Sequence, residues 1–174
     1  LLIILLAFVV QPVMTFLSVI STFFFNNEVG SFIYEIASTP YILLLGLVAL
    51  LPSITEEITV RGIVLSGYEN KNKYVAAAIT GLFFGIFHLD AQQFLYAAVL
   101  GFIFSLVVRI TNSIYASMIM HFIINGTSVT FAKISKIITD NLPIAMESTE
   151  FSLKNISSEE KFLLLITYGV IAVI

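Results

Sequence analysis

An all-α, polytopic transmembrane helical bundle is the fold class this sequence predicts, and three observations predict it. Of the 174 residues, 59% are hydrophobic and 11% charged, against roughly 45–50% and about 25% in soluble domains, and the mean hydropathy is +1.03. One soluble core of this size cannot hide that much apolar surface. Second, five apolar segments lie between polar boundaries, each long enough, or nearly so, to cross a bilayer as a helix. Third, the connections after the third and fourth segments are short, which forces antiparallel neighbours and a compact bundle. A net charge of -3 with scattered Lys and Arg leaves no basic patch on which nucleic acid could bind. The absence of cysteine excludes disulfides, thiol catalysis and Cys-ligated metal.

The first span runs from Leu1 to about Phe25 and stops at Asn26-Asn27-Glu28; it lacks the basic start of a signal peptide and runs too long for one. The second begins at Tyr41 after Pro40 and continues past Pro52 to Tyr68. The third covers Tyr74 to Leu89, the fourth Gln92 to Arg109 and the fifth Ser113 to Ala132. From Lys133 to Lys161 the polar composition, with Asp140-Asn141 and Pro143, predicts a loop outside the membrane. The sixth segment, Phe162 to Ile174, would reach about 20 Å as a helix, short of a bilayer core of about 30 Å. The expectation is therefore five complete spans plus a truncated sixth, in one domain over 1–174 that is an excerpt of a longer chain. Lys71, Lys73 and Arg109 share one side while the loop of Glu28 and Glu35 carries no Lys or Arg, which places the Lys71 loop inside. Lys133, Lys136 and Lys154 fall on the nominal outside and pull the other way.

Ionisable groups inside a span are costly and mark partners, cavities or function. Three clusters stand out: Glu56, Glu57 and Arg61 in the second span, His88 at the end of the third, and His121 with Asn125 in the fifth. At 1.5 Å per residue, Glu56 lies about 18 Å from Tyr68, His88 about 21 Å from Tyr74, and Asn125 and His121 about 18 and 12 Å from Ser113. Three helices thus carry polar groups at similar depth. Rotation agrees. Ala77, Gly81, Gly85 and His88 form one stripe, whose small residues allow a close helix neighbour, and Ser113, Ser117, His121, Asn125 and Ser128 form a second. Glu57 and Arg61 at i, i+4 can form a charge-assisted pair that braces the helix. Glu56, turned by about 100° from Glu57, has no intrahelical counter-charge and is the candidate for chemistry. A single intramembrane His or Asn is best read as an interhelical hydrogen bond worth about 1 kcal/mol; four such groups converging in depth favour a site.

Glu56 with His88 can take a proton from water as it attacks a carbonyl, and His121 with Asn125 can supply two N–H groups to the resulting oxyanion. Glu56, His88 and His121 also make a two-His-one-carboxylate set that could bind Zn. The i, i+4 His pair of soluble zinc proteases is absent, and a metal-independent glutamate mechanism stands beside the zinc one. A transporter or proton relay could use the same residues, and a non-catalytic scaffold would need none of them.

Glu56-Glu57-x-x-x-Arg61, Phe84-x-x-x-His88 and His121-x-x-x-Asn125, in order on successive spans, resemble the three motifs of the CPBP intramembrane proteases. That family includes the type II CAAX prenyl endopeptidases and the bacterial Abi proteins linked to bacteriocin processing and immunity. The resemblance covers about Tyr41 to Ala132, including Thr111-Asn112-Ser113-Ile114-Tyr115 before the third motif. It implies an intramembrane endopeptidase, a multi-pass protein of a bacterial cell membrane, acting on a peptide or a membrane-anchored protein. Glu56 would be the catalytic glutamate, His88 its partner, His121 and Asn125 the oxyanion donors, and Glu57 and Arg61 the support. Members are described both as metalloproteases and as metal-independent glutamate proteases, and a prenyl substrate is not implied because the bacterial branch shares the motifs.

Overall fold

The computed structural model describes residues 1–141 and 157–173, and every regular element among them is helical. In chain order these are α1 (Leu2–Thr22), α2 (Glu28–Glu35), α3 (Tyr41–Tyr68), α4 (Lys73–Phe87), α5 (Ala91–Thr111), α6 (Ile114–Asn141) and α7 (Ser158–Val173). A short 3-10 turn, Ile36–Ser38, follows α2. This is an all-α, polytopic membrane bundle. Among the described residues α1, α3, α5 and α6 are long and apolar enough to cross a membrane.

The five complete spans expected are not all met. The third is 15 residues long, about 22 Å at 1.5 Å per residue. It stops at His88 because Leu89 takes a left-handed φ of 51° and the Asp90 side chain at once caps α5, accepting from the N–H groups of Gln92 and Gln93. A left-handed leucine costs about 1–2 kcal/mol; here it reverses the chain in two residues. The polar stretch expected as a loop from Lys133 is helical as far as Asn141. Tertiary and local bonds outweigh its composition: Lys133 Nζ donates to the carbonyls of Ala37, Ser38 and Thr39 at 2.7, 3.3 and 2.9 Å, and Lys136 pairs with Asp140 one turn on at 3.3 Å. Lys154 lies outside the described residues. The last helix begins at Ser158, four positions before the expected Phe162, because Ser157 and Glu160 bond reciprocally across its first turn, the capping box of a helix start.

Cations close three helix ends, where the carbonyls lack intrahelical donors. Besides Lys133, Arg109 donates to the carbonyls of Tyr68 and Glu69 at 2.6 and 3.3 Å, and Lys161 to that of Thr22 at 3.0 Å. The core joins Ala7, Val10 and Met14 of α1 to Leu100, Phe104 and Val107 of α5 and Ala116 and Met120 of α6. On its other face α5 meets α4 at backbone distance: a Cβ on Gly81 would lie 2.7 Å from the Ala98 carbonyl oxygen and the Phe102 nitrogen, and one on Gly85 2.8 Å from the Phe94 oxygen. The small-residue stripe ending at His88 is thus the α4–α5 interface.

α3 is continuous but irregular. About two turns of ordinary α-helix, Leu51–Glu57, carry Pro52, Ser53, Glu56 and Glu57. Wider π-type winding precedes it over Leu45–Leu50 and follows it over Ile58–Val64. Such bulges arise where the i to i−4 ladder is broken, and they are frequent at functional sites.

Candidate active site

Glu57 and Arg61 sit on one face of α3 with fully buried side chains, and Arg61 Nη1 donates to Glu57 Oε1 at 2.8 Å. The pair that i, i+4 spacing anticipates is present, and it has further partners. Arg61 Nη2 donates to the Gly101 carbonyl at 3.0 Å, while its guanidinium carbon lies 4.3 Å from the centre of the Phe84 ring. That stacking on an aromatic face lowers the cost of a buried cation.

His121 Nδ1 is 3.0 Å from the same Glu57 Oε1. That oxygen already accepts from Arg61, so the imidazole Nδ1 is the donor and carries the proton. His121 Nε2 is thereby turned toward Glu56, whose Oε2 lies 3.9 Å away, beyond a direct hydrogen bond. The i, i+4 spacing pairs Glu57 with Arg61 alone; the bond from His121 is the addition. No local signal could reveal it, because the two residues are 64 positions apart.

Glu56 differs from its neighbour in exposure. Its side chain is 29% exposed, against 0% for Glu57, and it faces a cavity of about 830 Å3. His88, His121 and Asn125 line the same cavity, so all four residues singled out from three spans meet around one space. His88 caps the end of α4, with Nδ1 2.7 Å from the Phe84 carbonyl. A carbonyl only accepts, so Nδ1 carries the proton here too, leaving Nε2 as the free lone pair. The Phe84 ring packs edge-on against both imidazoles, with centroids 4.8 and 5.8 Å away. Asn125 Nδ2 donates to the Val48 carbonyl at 3.2 Å, which uses one of its two N–H groups.

The carboxylate oxygens Glu56 Oε2 and Glu57 Oε2 are buried without a protein hydrogen bond. Among the described residues no three His, Asp or Glu side chains are grouped so as to hold a metal ion. The conditional Zn set of Glu56, His88 and His121 is thus not grouped as ligands in this arrangement, while the bonds at Nδ1 leave Nε2 of both imidazoles available.

The cavity also has polar walls outside the three motifs. Gln11, Thr15 and Ser18 of α1 and Gln93 and Tyr96 of α5 line it. The Tyr96 hydroxyl donates to Gln93 Oε1 at 2.9 Å, and Gln93 Nε2 to Asp90 Oδ2 at 3.2 Å. The signal was available: Gln11, Thr15 and Ser18 are spaced i, i+4, i+7 in a helix otherwise apolar as far as Ile20, one polar face. α2 and the Lys133 end of α6 form the outer rim, through Asn27, Ser31, Tyr34 and Ser135.

The family model described as "Type II CAAX prenyl endopeptidase Rce1-like" matches residues 38–127, more than half of the chain. No curated protein and no solved structure matches. The matched stretch runs from the start of α3 into α6 and contains every one of the four cavity-lining motif residues.

Proposed function

Because this chain belongs to the type II CAAX prenyl endopeptidase Rce1-like family, we propose that it is an intramembrane endopeptidase that hydrolyses a peptide bond with water activated by Glu56 and His88. The observation that carries this reading is the convergence of Glu56, His88, His121 and Asn125 on one cavity, with Glu56 Oε2 buried there and held by no protein donor. Glu57 is committed to Arg61 and His121 through its Oε1, so Glu57 is the brace and Glu56 the base.

In the proposed reaction a water between Glu56 and His88 Nε2 gives a proton to Glu56, and its oxygen bonds to the carbonyl carbon. The carbonyl oxygen becomes an oxyanion, met by the free N–H of Asn125 and by the ring of His121, which Glu57, itself held by Arg61, keeps in place. Collapse breaks the C–N bond, and the proton on Glu56 passes to the leaving amine. No step runs through a metal. The substrate is a peptide or membrane-anchored protein, and the chain acts as one domain whose core is residues 41–132. A transporter or proton relay would use the same carboxylate and imidazoles, so the family match is what favours hydrolysis; a scaffold needs none of these groups.

The test is cleavage of a peptide library, with and without prenyl groups, by the protein reconstituted in liposomes. Glu56→Gln is expected to lower kcat by at least about a hundredfold, as loss of a general base does. A Glu56→Gln variant that cleaves at the wild-type rate overturns the mechanism.

A further inference from the structure

Pro52 takes no part in the steps above, although it lies one turn before Glu56 and lines the same cavity. Proline has no N–H and cannot return the hydrogen bond that a helix owes to the carbonyl four residues earlier, which in the α-helical register of Leu51–Glu57 is that of Val48. The ladder is already out of step at this point: over Leu45–Leu50 it is π-type, and the Leu51 N–H reaches back to Gly46. Side chains supply donors to this turn instead. The Ser53 hydroxyl donates to the Leu50 carbonyl at 2.8 Å, and Asn125 Nδ2, from α6, donates to the Val48 carbonyl at 3.2 Å.

An Asn amide has two N–H groups on one planar nitrogen, so fixing one fixes the direction of the other. We infer that Pro52 is a positioning residue: by withholding its N–H it reserves the Val48 carbonyl for Asn125, and that bond aims the second Asn125 N–H into the cavity beside His121. The inference rests on the proposed function for what the second N–H does; the bond itself is independent of it. A helix break that would otherwise be a defect thus becomes the anchor of a donor on another helix, while Glu56 stays on the regular turn Leu51–Glu57.

A double-mutant cycle tests this with the full chain in proteoliposomes: wild type, Pro52→Ala, Asn125→Ala and the double variant, read by kcat, KM and the midpoint of unfolding. Alanine at 52 restores an N–H that competes for the Val48 carbonyl. Pro52→Ala is expected to lower kcat about tenfold with KM within about twofold, less than the full loss of an oxyanion donor. Asn125→Ala should then cost at least about threefold less in the Pro52→Ala background than in wild type, a coupling of the size that contacting residues show. Strict additivity in kcat and in unfolding overturns the inference. If no variant cleaves any peptide, the proposed function fails, and the unfolding midpoints alone still decide the Pro52–Asn125 coupling: non-additive midpoints support it and additive ones refute it. Pro52→Ser, which also restores the N–H, replaces Pro52→Ala should the latter not fold.

Discussion

Replacing Arg61 by Met tests the buried polar cluster beneath the cavity. Arg61 and Glu57 have 0% side-chain exposure and meet at 2.8 Å, so Arg61→Met leaves a carboxylate buried with His121 as its remaining partner. It also removes the donor to Gly101 and the stacking on Phe84. Breaking a buried pair from one side costs about 3–5 kcal/mol, a loss of two to nearly four orders of magnitude in the folding equilibrium at 1.36 kcal/mol per decade. Removing both charges is different, since an apolar pair of similar volume has no desolvation penalty. Glu57→Leu with Arg61→Met should therefore regain at least half of the lost stability. Activity should not return with it, because His121 Nδ1 then has no carboxylate to orient it. The measurement is reversible unfolding in mixed detergent micelles for the single and double variants, with cleavage assayed in parallel. A single variant that loses under about 1 kcal/mol, or a double variant less stable than the single, refutes the reasoning that burial without a partner is what costs.

Two further outcomes are expected. Gly81→Ala must push α4 away from α5, because its Cβ would meet backbone atoms of Ala98 and Phe102 at 2.7 Å; overpacking of this kind costs about 1–3 kcal/mol, whereas Gly46→Ala, with nothing within 4 Å, should be neutral or stabilising in thermal unfolding. At the start of α7 the Ser157 N–H, and then the Ser157 side chain, hold the Glu160 carboxyl below its ordinary range. A depressed carboxyl contributes stability that is present above its unfolded pKa and lost as pH falls through the folded one. Hydrogen-exchange protection factors at the first turn of α7, which divide out the intrinsic pH dependence, should therefore fall as pH drops through that window in wild type and stay constant in Glu160→Gln.

Much of the site was legible because its signals are local. The spacing of Glu57 and Arg61 announces an ion pair, the separation of Glu56 from that face announces an unpaired carboxylate, and Ala77, Gly81 and Gly85 announce a close helix contact. The end of α6 was not legible, because Lys133 reads as a loop residue until the carbonyls of Ala37 to Thr39 are placed beside it; the i, i+4 pair of Lys136 with Asp140 was a local signal for helix that the polar composition masked.

By itself the sequence determined the solvent, the helical class and the few polar groups worth following, since hydrophobic content and helix periodicity are properties of neighbouring residues. Only the tertiary structure decided which polar group bonds to which. His121 could have faced either glutamate; the shared Oε1 of Glu57 fixes its Nδ1 and leaves its Nε2 toward Glu56. Asn125 could have pointed only into the cavity; the Val48 carbonyl holds half of its amide. Such choices depend on contacts between residues 64 and 77 positions apart, where low dielectric makes each hydrogen bond strong and each unmade one expensive, and no periodicity within a single helix encodes them.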